Sequence, residues 1–390
     1  MHINKEFAYS ERDTGFILSG FQAGYFLTQG LGGLLSDKFG SKYILAFSTF
    51  VWSFGELLTA LTASQFMLLF SSRVLSGCGA GLAFPSCQSF IAQWLPDSEK
   101  HVVVALTMIV TYAGSIFPCA LGPSLINLMS WKFWSVSLAF LGFAWLVPWI
   151  SLSSVSPLTS RWLPKTERES VYELYKIEDK IEERTEKEAI FPIILKLFKT
   201  KAMWGIILVQ FTNSIAFKTF TFYMPTFLES KHDYSKDDSS HLTIWIYVLQ
   251  LSFAILGTWI NTLNMSIMRK RVGFQLFSMF GSAFLLLLVV WIDSRASIPF
   301  LFLSVGLYSF SSFGVQMSHV DLSGKYAGMI YGFGAAASNL AGFIGTSLTG
   351  ITIEKYKNWN ILFAICIASY SVGGFLWIFM CQTRKIKLGY

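Results

Sequence analysis

Long apolar segments separated by short polar ones run along most of this 390-residue chain. A membrane-spanning helix needs about 20 predominantly apolar residues, and stretches of that length recur almost from end to end. The pattern predicts eleven membrane-spanning helices. Their expected ranges are 14–35, 42–63, 66–93, 102–129, 133–155, 202–228, 240–264, 272–292, 297–318, 326–353 and 359–381.

One long polar stretch, residues 156–201, interrupts this alternation. Its acidic and basic residues are mixed, as in Glu178-Asp179-Lys180-Ile181-Glu182, which is typical of a solvated linker. The linker divides the chain into a first bundle of five spans, residues 1–155, and a second bundle of six spans, residues 202–390. We therefore predict an all-α membrane protein built from two helical bundles.

Composition supports this class. Hydrophobic residues make up 53% of the chain and charged residues only 14%, whereas soluble domains carry about 25% charged residues. The net charge of +7 raises the question of nucleic-acid binding. However, the Lys and Arg residues punctuate apolar runs and do not form one basic face, so we expect no nucleic-acid partner. The five cysteines lie singly, so we expect no disulfide framework, metal site or cofactor.

The placement of Lys and Arg residues predicts the orientation in the membrane. If the linker is inside, twenty of the thirty Lys and Arg residues fall on the inner side and eight on the outer side. We therefore expect a multi-pass protein whose linker and C-terminus face the cytosol. The sequence leaves open which cellular membrane holds the protein.

A short motif stands between the first two predicted spans: Gly33-Leu-Leu-Ser-Asp37-Lys-Phe-Gly40-Ser-Lys42. It resembles the signature loop of the major facilitator superfamily. Gly33 would let helices approach closely, Asp37 would cap a helix or pair across the bundle, and Gly40 would permit the turn. The alternative is an ordinary charged hairpin between two spans.

Longer stretches resemble one branch of that superfamily, the anion:cation symporters. These are GFILSGFQAGYFLTQGLGG, RVLSGCGAGLAFPSCQSFIAQWLP, YAGSIFPCALG and GVQMSHVDLSGKYAGMIYGFGAAASNLAGFIGTSLTG. The branch includes sodium–phosphate cotransporters, vesicular glutamate transporters, sialic acid transporters and plastid phosphate transporters. The resemblance implies the twelve-helix transporter fold. Because the first matched residues follow the family's first helix, we expect a further span upstream of Met1.

Two basic residues interrupt the predicted spans, and an ionisable residue within a membrane indicates a functional site. Arg73 carries a planar guanidinium that suits a carboxylate or phosphate. In the resembling family, the arginine at this position contacts the anion. Lys218 lies near the middle of its span and would supply a second positive charge. The alternative for both is a side chain that reaches the interface along the lipid. For Lys218, pairing with a buried acid is a further alternative.

The resemblance adds further candidate substrate-binding residues. Tyr25 matches a family pocket tyrosine, and Asn213 stands where some members have an arginine. Ser338 and Asn339 are expected either to line the second-half cavity or to hydrogen-bond between helices. Asp321, like Asp37, is interpreted as a gate or structural charge.

The sequence also departs from the family pattern. A glutamate that serves proton coupling in several members is Ala80 here, and a histidine of the vesicular members is Leu18. The coupling ion, Na⁺ or H⁺, therefore stays open. Glu56 interrupts its predicted span, and we expect it near the outer interface; the alternative is a role in the cavity.

These features predict a monomeric secondary active transporter of small organic or inorganic anions, such as phosphate, glutamate or sialate. Transport would proceed by alternating access, with Arg73 and Lys218 binding the anion from opposing halves. One rival is a non-transporting anion sensor or a degenerate truncated transporter. Another is a cation or drug transporter, for which only Glu56 offers a buried acid. No enzyme motif is present in the spans.

Overall fold

The computed structural model describes residues 7, 9, 11–95, 97–164, 190–322, 327–356 and 358–383. These residues form helices and connecting segments without a β-strand, as the sequence predicted for an all-α membrane protein. The α-helices are α1 (Glu11–Phe39), α2 (Ser41–Thr62), α3 (Phe66–Trp94), α4 (Asp97–Leu128), α5 (Trp131–Leu152), α6 (Ile190–Phe198), α7 (Lys201–His232), α8 (Lys236–Thr262), α9 (Ile267–Ile292), α10 (Ile298–Gly306), α11 (Ser318–Leu322), α12 (Ala327–Tyr356) and α13 (Trp359–Met380).

Within this described part, seven helices are long and apolar enough to cross a membrane: α2, α3, α4, α5, α8, α9 and α13. Helices α1, α7 and α12 have 29, 32 and 30 residues, enough to cross a bilayer, but they are less apolar. They are less apolar because polar side chains at the centre of the molecule belong to them. The count of eleven spans therefore remains a prediction.

The predicted span 297–318 is not one continuous helix. Helix α10 ends at Gly306, a 3₁₀ segment follows at Leu307–Ser312, and turns lead into the short helix α11. The interrupted stretch is rich in serine and contains Gly314. Serine hydroxyls compete with the helical backbone for hydrogen bonds, and glycine is a poor helix former.

Side chains from helix α9 hold this interrupted segment. The amide oxygen of Gln275 accepts hydrogen bonds from the Ser311 hydroxyl and the Val315 N–H, both at 3.0 Å. Arg271 donates to the Phe313 carbonyl at 3.0 Å and forms a buried ion pair with Asp321 at 2.5 Å. Backbone groups that leave the helical pattern inside a membrane protein are thereby hydrogen-bonded within the protein.

The helices before the linker pack closely on one another. Helix α3 lies between α1 and α2, and α5 packs on α2. The approach of α1 to α3 depends on glycine: a Cβ added at Gly24 would lie 2.0 Å from the Val74 carbonyl oxygen. Lys42 donates to the carbonyls of Ile150 and Ser153 at 2.9 and 2.7 Å, which fastens the start of α2 to the end of α5.

The helices after the linker pack around α7. Helices α12 and α13 both pack on α7, and α9 packs on α13. A buried apolar core joins these helices, with Phe220, Phe227, Phe363 and Trp377 among its fully buried side chains. Trp377 also donates from its indole N–H to the carbonyl of Arg271 at 3.1 Å.

The two sets of helices meet mainly where α1 packs on α12 and α4 packs on α8, with a smaller contact between α3 and α12. At the end of α1, a Cβ added at Gly33 would lie 2.7 Å from the carbonyl carbon of Gly328. Between α4 and the interrupted segment, the hydroxyls of Tyr112 and Ser312 lie 3.1 Å apart. A second apolar cluster, containing Ile91 and Phe313, also joins both sets.

The end of α1, the end of α5 and the start of α7 lie toward the predicted linker, and this face is called the linker side below. Of the predicted linker, residues 165–189 lie outside the described residues. Residues 156–164 form a short 3₁₀ turn and bends, and α6 begins at Ile190.

Candidate functional site

Lys218 lies near the middle of helix α7, where a charged side chain is costly to bury. Its ammonium donates to the amide oxygen of Asn339 on α12 at 2.5 Å and to that of Gln22 on α1 at 3.4 Å. Asn339 in turn donates to the amide oxygen of Gln29 on α1. We call Gln22, Gln29, Lys218 and Asn339 the central polar cluster. It connects a helix before the linker with two helices after it.

The cluster is enclosed and shaped by its neighbours. Gln22, Gln29 and Asn339 are each less than 10% exposed. A Cβ added at Gly342 would lie 2.3 Å from Cδ of Lys218, so the glycine leaves room for the lysine stem. The ammonium is therefore held at a defined place between the two sets of helices.

The charge of Lys218 has no acidic partner within the described residues. Their side-chain ion pairs join Arg73 to Glu56, Lys231 to Asp293 and Arg271 to Asp321. Lys218 belongs to none of these pairs, and its two hydrogen bonds go to neutral amide oxygens. Within the described residues, the central polar cluster therefore contains one basic side chain and no acidic one, an arrangement that suits an anion.

Arg73 does have an acidic partner. Its Nη1 donates to Oε1 of Glu56 at 2.9 Å, and its guanidinium lies 5.2 Å from the ring centroid of Phe21. The Arg73 side chain is 22% exposed and that of Glu56 is 10% exposed. Ser135 of α5 donates to the other carboxylate oxygen of Glu56 at 3.2 Å. The ion pair therefore lies inside the first set of helices, on the side away from the linker.

The two basic side chains reach adjacent residues of α1. Arg73 lies over Phe21, whereas Lys218 bonds to Gln22. Consecutive residues of a helix do not face the same way, so the cations approach α1 from different sides. Tyr25 lies one turn beyond Phe21, with ring centroids 5.8 Å apart, which places it on the Arg73 side.

Asn213 and Ser338 form contacts between helices. The Asn213 amide donates to the Ser311 hydroxyl in the interrupted segment at 2.8 Å, and the residue is 1% exposed. The Ser338 hydroxyl lies 2.6 Å from that of Ser214 on α7. Asn339, next to Ser338 in sequence, is the residue of this pair that bonds to Lys218.

The residues of the signature loop lie at the linker side. Gly33 contacts the backbone of Gly328, and Gly40 has φ of 89°, a left-handed conformation that favours glycine. Asp37 is in the last turns of α1, and its side chain lies outside the described residues. Asp321 is held by Arg271 beneath the interrupted segment.

Sequence reasoning missed two polar residues, Gln22 and Gln29, and the pairing of Glu56 with Arg73. Glu56 and Arg73 lie at nearly the same distance from the turn that joins α2 to α3, so an antiparallel hairpin brings them close together. That symmetry was a usable signal. No comparable signal marked Gln22 or Gln29, because their partners lie almost 200 residues or more away along the chain.

The surface of the described part includes a groove on each set of helices. One lies along α8 and α10 and includes Trp245, Arg295 and Phe302. The other lies among α2, α3 and α5 and includes Trp52 and Trp145. Neither groove is lined by Arg73 or by a member of the central polar cluster. Among the described residues, no three His, Cys, Asp or Glu side chains come together to hold a metal ion.

A helical membrane protein with a buried charged cluster between two sets of helices is typical of a secondary transporter. The chain belongs to the Major Facilitator Superfamily, whose family profile matches residues 1–346. It is accordingly a membrane transporter and not an enzyme. The family resemblance drawn from the sequence is confirmed.

Similar proteins agree with this assignment. The chain is 29% identical to the chloroplastic ascorbate transporter of Arabidopsis thaliana over 98% of this chain and 70% of that protein. It is 28% identical to the chloroplastic sodium-dependent phosphate transport protein 1 of Arabidopsis thaliana, over 98% of this chain and 74% of that protein. The proton:xylose symporter XylE superposes with a TM-score of 0.71 at 17% identity, covering 99% of this chain and 92% of XylE, which supports the fold.

Proposed function

We propose that this chain carries small organic or inorganic anions across a membrane by alternating access. The observation that carries the proposal is the Lys218 ammonium, which lies between the two sets of helices and bonds to neutral amides. A buried cation without a counter-charge is unfavourable until an anion joins it. Because these partners are neutral, a carboxylate or phosphate is a stronger hydrogen-bond acceptor for the ammonium than either amide oxygen.

Similar proteins support an anionic passenger. The named relatives include an ascorbate transporter and a sodium-dependent phosphate transport protein. Carboxylates are planar and phosphate is tetrahedral, but both present several negatively charged oxygens. Ammonium and guanidinium groups bind such oxygens through charge-assisted hydrogen bonds. We therefore assign the substrate class as small anions with clustered oxygens, which includes phosphate, ascorbate, glutamate and sialate. Coupling to Na⁺ or H⁺ is part of the proposal.

The contacts between the two sets of helices support alternating access. On the linker side, α1 and α12 touch backbone to backbone at Gly33 and Gly328. The apolar cluster that contains Ile91 and Phe313 closes the same region beside them. We propose that residues 1–155 and 202–390 move as two bundles, and that these contacts form the gate on the linker side. Binding and release of the anion at Lys218 would accompany their opening and closing.

We also propose that the linker side is cytosolic, since basic residues accumulate there. Cysteine-accessibility labelling tests this orientation: a cysteine introduced at exposed Trp162 should react with a membrane-impermeant reagent only after the membrane is permeabilised. Reaction in intact cells would contradict the orientation without affecting the proposed substrate class.

Uptake into proteoliposomes tests the function. Purified protein should accumulate at least one of radiolabelled phosphate, ascorbate, glutamate or sialate, with and without imposed Na⁺, H⁺ or electrical gradients. Empty liposomes supply the background. Binding of an anion without uptake under any gradient would favour an anion sensor, whereas uptake of organic cations alone would contradict the proposal.

A further inference from the structure

The Glu56 carboxylate is held inside the first set of helices by contacts from three of them. It belongs to α2, receives Arg73 from α3 and receives the Ser135 hydroxyl from α5. Ser135 donates a second time to the backbone carbonyl of Glu56 at 2.9 Å. Because Glu56 and Ser135 are only 8% and 6% exposed, the carboxylate has a fixed position.

The guanidinium of Arg73 is only partly used by this contact. An arginine offers five N–H donors, and within the described residues the hydrogen bond of Arg73 runs from Nη1 to Glu56. The edge formed by Nε and Nη2 has no hydrogen-bond partner among those residues. That edge is the one on which arginine binds a carboxylate or phosphate through two parallel hydrogen bonds. A second anion can therefore bind Arg73 while Glu56 still occupies Nη1.

The passenger and Glu56 would then compete for one positive charge. The Glu56 carboxylate has the same chemistry as the proposed passengers, and it neutralises Arg73 before any passenger arrives. Two carboxylates that share a site repel each other, more strongly where water is scarce.

We propose that Glu56 is an internal counter-anion that sets the affinity of Arg73 for the transported anion. It stabilises the buried guanidinium in the empty protein and weakens binding of the passenger, which keeps release possible. The inference rests on the proposed function and on the expectation that Arg73 and Lys218 bind the same anion. In this proposal, Glu56 sets the affinity for the transported anion, whereas a purely structural ion pair would only stabilise the fold.

Neutralising Glu56 tests the inference. Glu56→Gln keeps the shape and can still accept a hydrogen bond from Ser135, but it removes the competing charge. We expect the apparent Kd for inorganic phosphate or ascorbate, whichever the wild-type chain binds, to fall about tenfold, which is ~1.4 kcal/mol. Glu56→Asp withdraws the carboxylate by one methylene and should give a smaller decrease. Binding is measured with radiolabelled probe on purified protein in detergent.

Glu354→Gln is the matched control. Glu354 is an exposed acid near the end of α12 away from the linker, so its removal changes net charge equally without touching Arg73. Its Kd should change less than twofold, because exposed charges are screened over about 10 Å at ordinary salt.

The outcomes separate the two proposals. If the wild-type chain binds neither probe and takes up no anion, the proposed function fails. If wild-type protein binds a probe but Glu56→Gln binds it equally or more weakly, the Glu56–Arg73 pair is structural and this inference is overturned. Should Glu56→Gln not yield folded protein, Glu56→Asp decides in the same way: an unchanged or higher Kd overturns the inference.

Discussion

Replacing Lys218 by glutamine tests the central electrostatic reasoning, because affinity and stability should respond in opposite directions. Glutamine removes the charge yet keeps a polar group that can reach Asn339. The variant therefore isolates the contribution of the positive charge at the centre of the molecule. A purely structural lysine would make both properties worse.

The expected loss of affinity follows from the bond that the passenger would lose. A hydrogen bond to a charged group contributes about 1.5–3 kcal/mol, and each 1.4 kcal/mol changes a dissociation constant tenfold. Lys218→Gln should therefore raise the apparent Kd or KM for the transported anion roughly 10- to 100-fold.

The thermal stability of Lys218→Gln should not fall together with its affinity for the anion. Desolvating an ion costs several kcal/mol in a protein interior, and within the described residues no carboxylate offsets that cost for Lys218. The two hydrogen bonds lost are to neutral amides, at 2.5 and 3.4 Å. We expect the Tm of the empty variant in detergent to equal or exceed that of the wild-type protein.

The assay combines uptake kinetics in proteoliposomes with thermal unfolding in detergent. Lys231→Gln is the control, since Lys231 lies on the same helix but pairs near the surface with Asp293 at 2.5 Å. A surface ion pair contributes about 0–1 kcal/mol, so uptake by this control should stay within twofold. An unchanged KM in Lys218→Gln, or a higher KM together with a clearly lower Tm, would refute the reasoning.

Three further predictions concern other parts of the site. Arg73→Gln should abolish anion uptake, and the double variant with Glu56→Gln should regain thermal stability without regaining uptake, because it removes the unpaired carboxylate but not the need for the guanidinium; uptake by either variant would contradict this. Gly33→Val should impair uptake more than it impairs anion binding, since a Cβ there would lie 2.7 Å from the backbone of α12 and oppose gate closure; equal losses in the two assays would argue against a gate. Asp321→Asn leaves the buried Arg271 charge unpaired and should cost about 3–5 kcal/mol, seen as a large decrease in Tm; a Tm within about 1 °C of the wild-type value, roughly the shift expected for 1 kcal/mol in a chain of this length, would contradict it.

The sequence alone determined the class of protein, most helix positions and the family. These properties depend on local composition, since about 20 apolar residues suffice to identify a span wherever it packs. The predicted range 42–63 agrees with α2, Ser41–Thr62, within one residue. Lys218 and Arg73 could be selected as candidates on the same local basis, because a charge inside an apolar segment is unusual whatever surrounds it.

The tertiary structure decided which side chains meet. It paired Arg73 with Glu56, gave Lys218 two amide partners and directed Asn213 to Ser311. It also interrupted the predicted span 297–318, where polar groups on α9 satisfy the backbone that leaves the helix. The physical reason is the same in each case. A buried polar group is stable only when another part of the fold supplies its partner, and the hydropathy of the chain does not identify that partner.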